Sequence, residues 1–327
     1  MMTRERLIDT FVRLGTELRT IGDTAEGEAV IARAMEENAW FTRADILRAV
    51  EAICSDMLDR ERLHEWLEHY PMAATQRRVA VIMAGNIPLV GFFDLLCVVL
   101  SGNECHLKPS SKDNVLMEYV VERLKALLPD IAIYAYDATA RYDMAIATGG
   151  DDANRYFREH FTSTRALLRG SRHSIAILDG TETEEELRGL VADITAYSGL
   201  GCRSVSKIFI PRSMVLRLPH TVPANTKMAN GLRSIRALYA LQQRDYGDYG
   251  AFIVERGEAF PSRLGVVTIS EYDDIAEVEA WIASNRNVLQ CITTHVGIEG
   301  GVSLGMAQRP TLTDYADGID TMLWLAR

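Results

Sequence analysis

Short apolar runs alternate with helical patterns along most of this 327-residue chain, and this alternation constrains the fold most strongly. Residues 79–83 have the pattern of a buried strand, residues 89–100 that of an apolar helix and residues 104–108 that of a second strand. Parallel strands need such crossover helices, so the pattern is typical of a βαβ unit. We therefore predict an α/β protein built on a doubly wound parallel sheet.

The same patterns predict how the chain is divided. A length of 327 residues favours two interlocked domains over one simple domain. We place one domain at residues 71–178, after an N-terminal helical layer at residues 1–70. No G-x-G-x-x-G motif follows its first strand, so only the resemblance described below implies that it is a dinucleotide-binding cofactor domain. Residues 179–300 are predicted to form a smaller α/β catalytic domain. Residues 301–327 are predicted to return to the cofactor domain or to a dimer interface.

Composition excludes several classes of protein. The net charge of −10 argues against a general nucleic-acid binder, because phosphate binding needs a basic face. The charged N-terminus lacks the apolar core of a signal peptide, and the longest apolar run, residues 87–100, is too short to span a bilayer. We expect a cytoplasmic protein without membrane insertion. The five cysteines are odd in number and lack C-x-x-C spacing, so neither a disulfide framework nor a metal site is predicted.

One cysteine has the setting of a nucleophile. Cys202 lies on a loop framed by Gly199 and Gly201, after an amphipathic helix and before an apolar strand. A thiol in such a loop is close to backbone N–H groups and leaves room for a substrate, which suits a residue that forms a thioester. By contrast, Cys54, Cys97 and Cys291 lie in apolar stretches and are expected to be structural.

Six segments, taken in order, resemble motifs of the aldehyde dehydrogenase superfamily. They are Asn86 in Gly-Asn-Ile-Pro, residues 102–110 (GNECHLKPS), Thr148-Gly149-Gly150, residues 170–175 (GSRHSI), residues 201–207 (GCRSVSK) and residues 258–260 (EAF). Within that superfamily the chain resembles the acyl-CoA reductases of the bioluminescence fatty-acid reductase type, since residues 308–312 and 314–322 are similar to the end of short bacterial members.

The resemblance implies a set of roles. Cys202 would be the nucleophile, and the Asn86 side chain and the Cys202 backbone N–H would stabilise an oxyanion. The residues implied to bind the cofactor are Lys108, Ser111, Thr148, Gly149, Gly150 and Glu258. Relatives that prefer NAD often carry an acidic residue where Ser111 stands, and Lys112 follows it here. A carboxylate would repel a 2′-phosphate, so NADPH is favoured, with NADH as the alternative.

One departure from the superfamily bears on the reaction. Aldehyde-oxidising members carry a glutamate base at the position of Leu168, which is followed here by Arg169. Without a base, water is not readily activated to hydrolyse a thioester. The residues therefore favour reduction of an activated acyl group over oxidation of an aldehyde to an acid.

We therefore predict an acyl-CoA reductase. An acyl-CoA would acylate Cys202, and hydride from NADPH would then reduce the acyl-enzyme to an aldehyde. The resemblance also implies a homodimer or a higher homo-oligomer. Two alternatives stay open, namely a reductase of an acyl phosphate similar to γ-glutamyl phosphate reductase and a non-catalytic scaffold of the same fold.

Overall fold

The computed structural model describes residues 3–327, which divide into two compact units. The first unit contains the described residues up to Ser171 together with Pro310–Arg327, and the second contains Arg172–Arg309. Within residues 3–327, no helix combines the length and the apolar character needed to cross a membrane.

Four helices open the first unit, and each begins at a polar side chain that accepts a backbone N–H. The helices are α1 (Arg4–Leu18), α2 (Ala25–Glu37), α3 (Arg43–Ala52) and α4 (Arg60–Glu68), with N-caps Thr3, Thr24, Thr42 and Asp59. Such caps satisfy N–H groups that have no partner inside the helix. The buried face of this layer joins the core of the sheet that follows, so these helices and the sheet form one unit.

The sheet of the first unit is parallel throughout. Its strands are β1 (Arg78–Ile82), β2 (Glu104–Lys108), β3 (Ile133–Ala135), β4 (Met144–Thr148) and β5 (Arg165–Arg169), in the spatial order β3-β2-β1-β4-β5. The helices that accompany it are α5 (Phe92–Leu100), α6 (Asn114–Leu127) and α7 (Asp151–His160), with the C-terminal α11 (Thr321–Ala326). Alternate residues of β1 face two different cores, as the two-residue period of a strand requires.

The winding of this sheet creates a topological switch point between β1 and β4. From β1 the chain moves outward through β2 and β3, and it then returns to add β4 and β5 on the other side of β1. The loops after β1 and β4 therefore leave neighbouring strands in opposite directions. Ligands of open α/β sheets bind at such a switch point, outside the carboxyl ends of the strands.

The second unit contains a larger sheet. Its strands are β6 (His173–Ile177), β7 (Val205–Pro211), β8 (Gly247–Asp248), β9 (Ile253–Arg256), β10 (Val266–Tyr272), β11 (Leu289–Thr294) and β12 (Gly301–Val302), in the order β12-β11-β6-β7-β10-β9-β8. Every pair is parallel except β8 with β9. The helices are α8 (Glu184–Thr195), α9 (Thr226–Leu241) and α10 (Ile275–Asn285).

The predicted α/β class with a doubly wound parallel sheet is confirmed, and the details differ in three places. The apolar helix begins at Phe92 rather than residue 89, because Leu89 has a φ of 56°, which no α-helix contains. Strand β5 was not predicted. Strand β6 was assigned to the domain at residues 71–178, but it pairs with β7 and β11 in the second sheet. Alternation along the chain does not reveal which sheet a strand joins.

A buried ion pair links the edge of the first sheet to the C-terminal helix. Arg169 on β5 donates to Asp94 on α5 at 2.6 Å and to the hydroxyl of Thr321 on α11 at 2.8 Å. All three residues are buried. The buried Arg169 guanidinium therefore joins the C-terminal helix to the sheet within the first unit.

Removing one partner of this pair should destabilise the protein strongly. We expect Asp94→Ala to lower the free energy of unfolding by about 3–5 kcal/mol, because the Arg169 guanidinium then stays buried without its counter-charge. Urea denaturation would measure the loss. The control is Arg188→Ala, which breaks an exposed pair with Glu184 and should cost at most about 0.5 kcal/mol. Equal losses in the two variants would contradict the role assigned to the buried pair.

Candidate active site

The loop that carries Cys202 follows a strained turn. Helix α8 begins at a capping box formed by Thr183 and Glu186, and it ends at Thr195. The next residues include three in the left-handed region, with φ of 52° at Tyr197, 56° at Ser198 and 74° at Gly199. Residues other than glycine rarely adopt this conformation, and it persists only where the surroundings enforce it.

Side chains from other elements fix this turn and the cysteine that follows. Tyr197 and Ser198 are buried, and the Ser198 hydroxyl accepts a hydrogen bond from Asn225 at 2.8 Å, the residue that caps α9. The Ser174 hydroxyl on β6 donates to the carbonyl oxygen of Cys202 at 2.9 Å. The backbone of the cysteine is thus set by contacts on both sides of the loop.

The residues after Cys202 are anchored as well. Buried Arg203 donates to the carbonyl oxygen of Ala307, and Ser204 accepts a hydrogen bond from Gln308 at 3.3 Å. Asp193 on α8 accepts the N–H groups of Gly305 at 2.7 Å and Ala307 at 3.0 Å. Burial raises the pKa of Asp193 to about 6. Sequence analysis did not identify these anchoring residues, because each contact joins distant parts of the chain.

Exposure distinguishes Cys202 from the other cysteines. Cys202 is half-buried, whereas Cys54, Cys97, Cys105 and Cys291 are buried. Burial raises the pKa of Cys54 to about 12 and also raises the pKa values of Cys97 and Cys105. A thiol reacts as its thiolate, so these three are poor nucleophiles.

The predicted site residues of the first unit lie at the carboxyl edge of its sheet. Asn86 is in the loop after β1, Lys108 ends β2 and Thr148 ends β4. Ile82, near the end of β1, is in register with Lys108 on one side and with Ala147 on the other. The fold therefore brings these three segments together at the switch point, within one unit.

A buried carboxylate holds the turn that contains Asn86. Asp113 accepts the backbone N–H of Leu89 at 2.7 Å, and Leu89 is the residue with a φ of 56°. Burial raises the pKa of Asp113 well above its ordinary range, and its Oδ1 has no hydrogen-bond partner among the described residues. A Cβ on Gly85 would lie 2.6 Å from the Ser110 side chain, so the turn packs closely against the segment after β2. Asp113 was not predicted as a site residue.

The residues at the end of β4 fit a dinucleotide in most respects. The Thr148 hydroxyl is buried and has no partner among the described residues. A Cβ on Gly149 would lie 2.8 Å from that of Ala153, whereas no described atom lies within 4 Å of a Cβ placed on Gly150. Gly150 caps α7 without a side-chain hydrogen bond, so backbone N–H groups are available to an anion. The adjacent Asp151 and Asp152 are negatively charged like a phosphate, so a phosphate bound here would have to lie away from their carboxylates.

The other predicted cofactor residues are exposed. The Lys108 ammonium lies 5.8 Å from the ring centroid of Tyr136, and Ser111 is exposed in the loop after β2. In the second unit, the Glu258 carboxylate is exposed and accepts hydrogen bonds from the Ser270 hydroxyl. Glu258 and Cys202 belong to the second unit, and the remaining predicted residues belong to the first.

Leu168, which stands where aldehyde-oxidising relatives carry a glutamate base, has apolar surroundings. Leu168 is half-buried on β5 and packs against the cluster that contains Phe157 and Phe161. Sequence analysis placed no carboxylate beside the neighbouring Arg169, but the fold brings Asp94 there. This carboxylate is buried and bound to the guanidinium, so it is poorly placed to accept a proton from water.

Comparison with known proteins assigns the family. The model of the family "Acyl-CoA reductase (LuxC)" matches residues 18–218. The chain belongs to this family. It is 30% identical over 177 residues to long-chain acyl-protein thioester reductase 2 of Photobacterium leiognathi, a match that covers 47% of this chain and 37% of the relative. It is 25% identical over 253 residues to the long-chain acyl-protein thioester reductase of Vibrio harveyi, covering 71% and 52%. The chain therefore spans about half the length of these relatives, or less.

Solved structures of similar fold include aldehyde dehydrogenases. Aldehyde dehydrogenase 21 from Physcomitrella patens has a TM-score of 0.65 at 11% identity, with 97% of this chain and 82% of that one covered. An acetylating aldehyde dehydrogenase from Geobacillus thermoglucosidasius has a TM-score of 0.63 at 11% identity, with 95% and 86% covered. At these identities the likeness concerns the fold, and it confirms the predicted aldehyde dehydrogenase-like architecture.

A further cluster of ionisable residues lies in the second unit of this chain, around His295. His295 Nε2 is 2.9 Å from Asp179, and its Nδ1 is 3.0 Å from Glu186. Asp179, Glu182 and His295 place ligand-type atoms within 4.8 Å of one another, which is the spacing that a metal ion needs. Ion pairs account for the grouping, since hydrogen bonds to Glu186 and Asp179 raise the pKa of His295.

Cys202 should be the cysteine that reacts with an alkylating agent in the folded protein. We expect iodoacetamide to label it at least about tenfold faster than the buried cysteines, because they are inaccessible and the pKa values of three of them are raised. Peptide mass spectrometry would identify the labelled residue, and Cys202→Ala should abolish the fast phase. Fast labelling at Cys54, Cys97, Cys105 or Cys291 would contradict the assignment.

The His295 cluster should make stability depend on pH. A histidine whose pKa is raised by folding binds its proton more tightly in the folded state. Its contribution is therefore complete below its ordinary pKa of about 6.5 and is lost as the pH rises through the raised value. Relative to His295→Gln, we expect the wild type to lose about 1 kcal/mol between pH 6 and pH 9 in urea denaturation. His69→Gln is the control, and curves that stay parallel for His295→Gln would argue against the network.

Proposed function

We propose that this chain reduces an acyl thioester to an aldehyde, with Cys202 as the nucleophile. The observation that supports this most is the setting of Cys202, which is half-buried on a loop that follows a strained turn while the other cysteines are buried. Membership of the acyl-CoA reductase family supports the reaction type. The names of the curated relatives support a thioester as the substrate.

The first step transfers the acyl group to the protein. The Cys202 thiolate forms a bond to the carbonyl carbon, and the bond between that carbon and the sulfur of the carrier breaks. The carrier leaves as a thiolate and takes a proton from solvent, so no net oxidation or reduction occurs. We assign stabilisation of the oxyanion to the Asn86 side chain and the Cys202 backbone N–H, a type of contact that lowers the barrier by about 3–4 kcal/mol.

The second step reduces the acyl-enzyme and releases the cysteine. A bound nicotinamide dinucleotide would supply the hydride that this step needs. Lys108, Ser111, Thr148, Gly149, Gly150 and Glu258 are the residues that we assign to holding it. Breaking the bond between the carbon and the Cys202 sulfur returns the thiolate and releases the aldehyde.

The absence of a base protects the acyl-enzyme until reduction. Leu168 stands where aldehyde-oxidising enzymes carry glutamate, and the carboxylate beside Arg169, that of Asp94, is bound in the ion pair with the Arg169 guanidinium. Water near the thioester would therefore not be deprotonated efficiently. This arrangement favours an aldehyde over a free acid as the product.

The charge of the residues after β2 supports one choice of dinucleotide. Ser111 and Lys112 are exposed, and neither carries the carboxylate that would repel a 2′-phosphate. Lys108 and Lys112 would add positive charge on the same segment. We therefore propose NADPH in preference to NADH.

The thioester substrate could carry its acyl group on CoA or on a protein. The family description names acyl-CoA, whereas the curated relatives are named for acyl-protein thioesters. We propose acyl-CoA as a substrate, since the chemistry at Cys202 requires only a thioester and a thiolate leaving group. Acyl-N-acetylcysteamine, which keeps the thioester but lacks the nucleotide of CoA, is the matched probe for carrier recognition.

An assay that follows NADPH loss and thiol release together tests the function. With acyl-CoAs of increasing chain length, we expect the two to occur in equal amounts and to be abolished in Cys202→Ala. Asn86→Ala should lower kcat by about 10²- to 10³-fold. The control is Cys54→Ala, which removes a buried cysteine of the N-terminal helical layer and should keep most of the activity.

The other outcomes separate the alternatives. Thiol release without NADPH loss would keep the acylating cysteine but reject the cofactor. Activity with an acyl phosphate and none with any thioester would favour the acyl-phosphate reductase. A protein that binds the dinucleotide but shows neither turnover nor a reactive thiol would support a non-catalytic scaffold.

A further inference from the structure

A buried lysine lies behind the exposed carboxylate of Glu258. Lys207 is on β7, the strand that follows the Cys202 loop, and its side chain is fully buried. Its Nζ donates to the carbonyl oxygen of Gly257 at 3.2 Å and to the Ser270 hydroxyl at 2.5 Å. It lies 3.8 Å from Glu258 Oε2.

The chemistry of these groups fixes the direction of the hydrogen bonds. An ammonium group can only donate, so the Ser270 oxygen accepts from Lys207. The single serine hydrogen can then be donated to the Glu258 carboxylate, both of whose oxygens lie 3.0 Å from the Ser270 oxygen, or to the Gly257 carbonyl oxygen at 3.2 Å, and the carboxylate is the closer and the charged acceptor. Lys207, Ser270 and Glu258 therefore form a relay that runs from the core to the surface.

This arrangement is poorly explained as a device for stability. Burial lowers the pKa of Lys207, and the attraction of Glu258 only partly opposes that effect. The other neighbours of the ammonium include the rings of Phe209 and Trp281, with centroids at 5.2 and 5.9 Å. Replacing a whole buried ion pair by apolar side chains is often neutral or stabilising, so such an interaction contributes little net stability and its presence calls for another role.

The exposed end of the relay offers that role. The Glu258 side chain is 81% exposed, and such a carboxylate ordinarily samples several rotamers. Here the hydrogen bond from Ser270 restrains the Glu258 carboxylate on its protein side, while the solvent side of the carboxylate stays exposed. A fixed carboxylate is suited to accept hydrogen bonds from two neighbouring hydroxyl groups, such as those of a ribose.

We propose that Lys207 and Ser270 are positioning residues that hold Glu258 ready to accept hydrogen bonds from the nicotinamide ribose of the dinucleotide. This inference rests on the proposed function. The pairing of β7 with β10 sets the geometry, since Lys207 is in register with Thr268, two residues before Ser270. The strand that leaves the nucleophile loop thus also orients a residue that contacts the cofactor.

Calorimetric titration of the full chain with NADPH and NADH tests the inference without requiring turnover. We expect Glu258→Gln, Lys207→Met and Ser270→Ala each to weaken dinucleotide binding by about tenfold. Binding of 2′,5′-ADP or AMP, which lack the nicotinamide ribose, should change by less than about twofold in the same variants. The double variant Lys207→Met with Glu258→Gln should bind no more weakly than Glu258→Gln alone, because both changes remove one interaction.

Matched variants separate positioning from a general loss of structure. Lys125→Met and Ser284→Ala change an exposed lysine and an exposed serine on helices and should leave binding unchanged. Ser270→Thr keeps the hydroxyl and should restore binding relative to Ser270→Ala. If Lys207→Met does not fold, the two Ser270 variants decide the question.

Three results would overturn the inference, and they differ in what else they reject. Wild-type protein that binds neither dinucleotide would reject the proposed function as well. Wild-type binding that is weakened in Glu258→Gln but unchanged in Lys207→Met and Ser270→Ala would reject only the positioning role. Equal weakening of the dinucleotides and of 2′,5′-ADP or AMP would show a structural effect that does not pass through Glu258.

Discussion

The left-handed turn at residues 197–199 is the constraint on which the candidate site depends. Two residues other than glycine adopt positive φ there, at a cost of about 1–3 kcal/mol each. If the backbone stayed helical, α8 would continue toward Cys202 and use the N–H groups of the loop in its own hydrogen bonds. The turn ends the helix, and the contacts from Asn225 and Ser174 keep the cysteine at the start of β7.

The first unit solves a similar problem at the end of β1. Leu89 also has a positive φ, and a buried Asp113 accepts its N–H, so the turn with Asn86 has one conformation. Because β1 and β4 are neighbours and their loops diverge, this turn lies beside Thr148–Gly150 at the switch point. In both units a costly backbone conformation close in sequence to a predicted site residue is held by a side chain from elsewhere in the fold.

Several of the contacts that hold segments near the predicted site residues involve buried charges. Arg169 with Asp94, Arg203 near Asp193 and Lys207 near Glu258 each remove a charge from water and contact a segment next to a predicted site residue. Such groups contribute little net stability, but they tolerate few alternative arrangements, because an unpaired buried charge is strongly unfavourable. The proposed reaction passes through a thioester that must be protected from water, and it would benefit from segments that are held in one position.

Local sequence determined the features that depend on residues close together in the chain. The alternation of patterns predicted the α/β class, and the glycines around Cys202 predicted a loop. These depend on propensities and hydrogen bonds over a few residues. The tertiary structure alone decided that β6 joins the second sheet, that Asp94 meets Arg169 and that Lys207 lies behind Glu258. Each of those contacts joins residues far apart in sequence, whose proximity depends on strand order and register rather than on any local pattern.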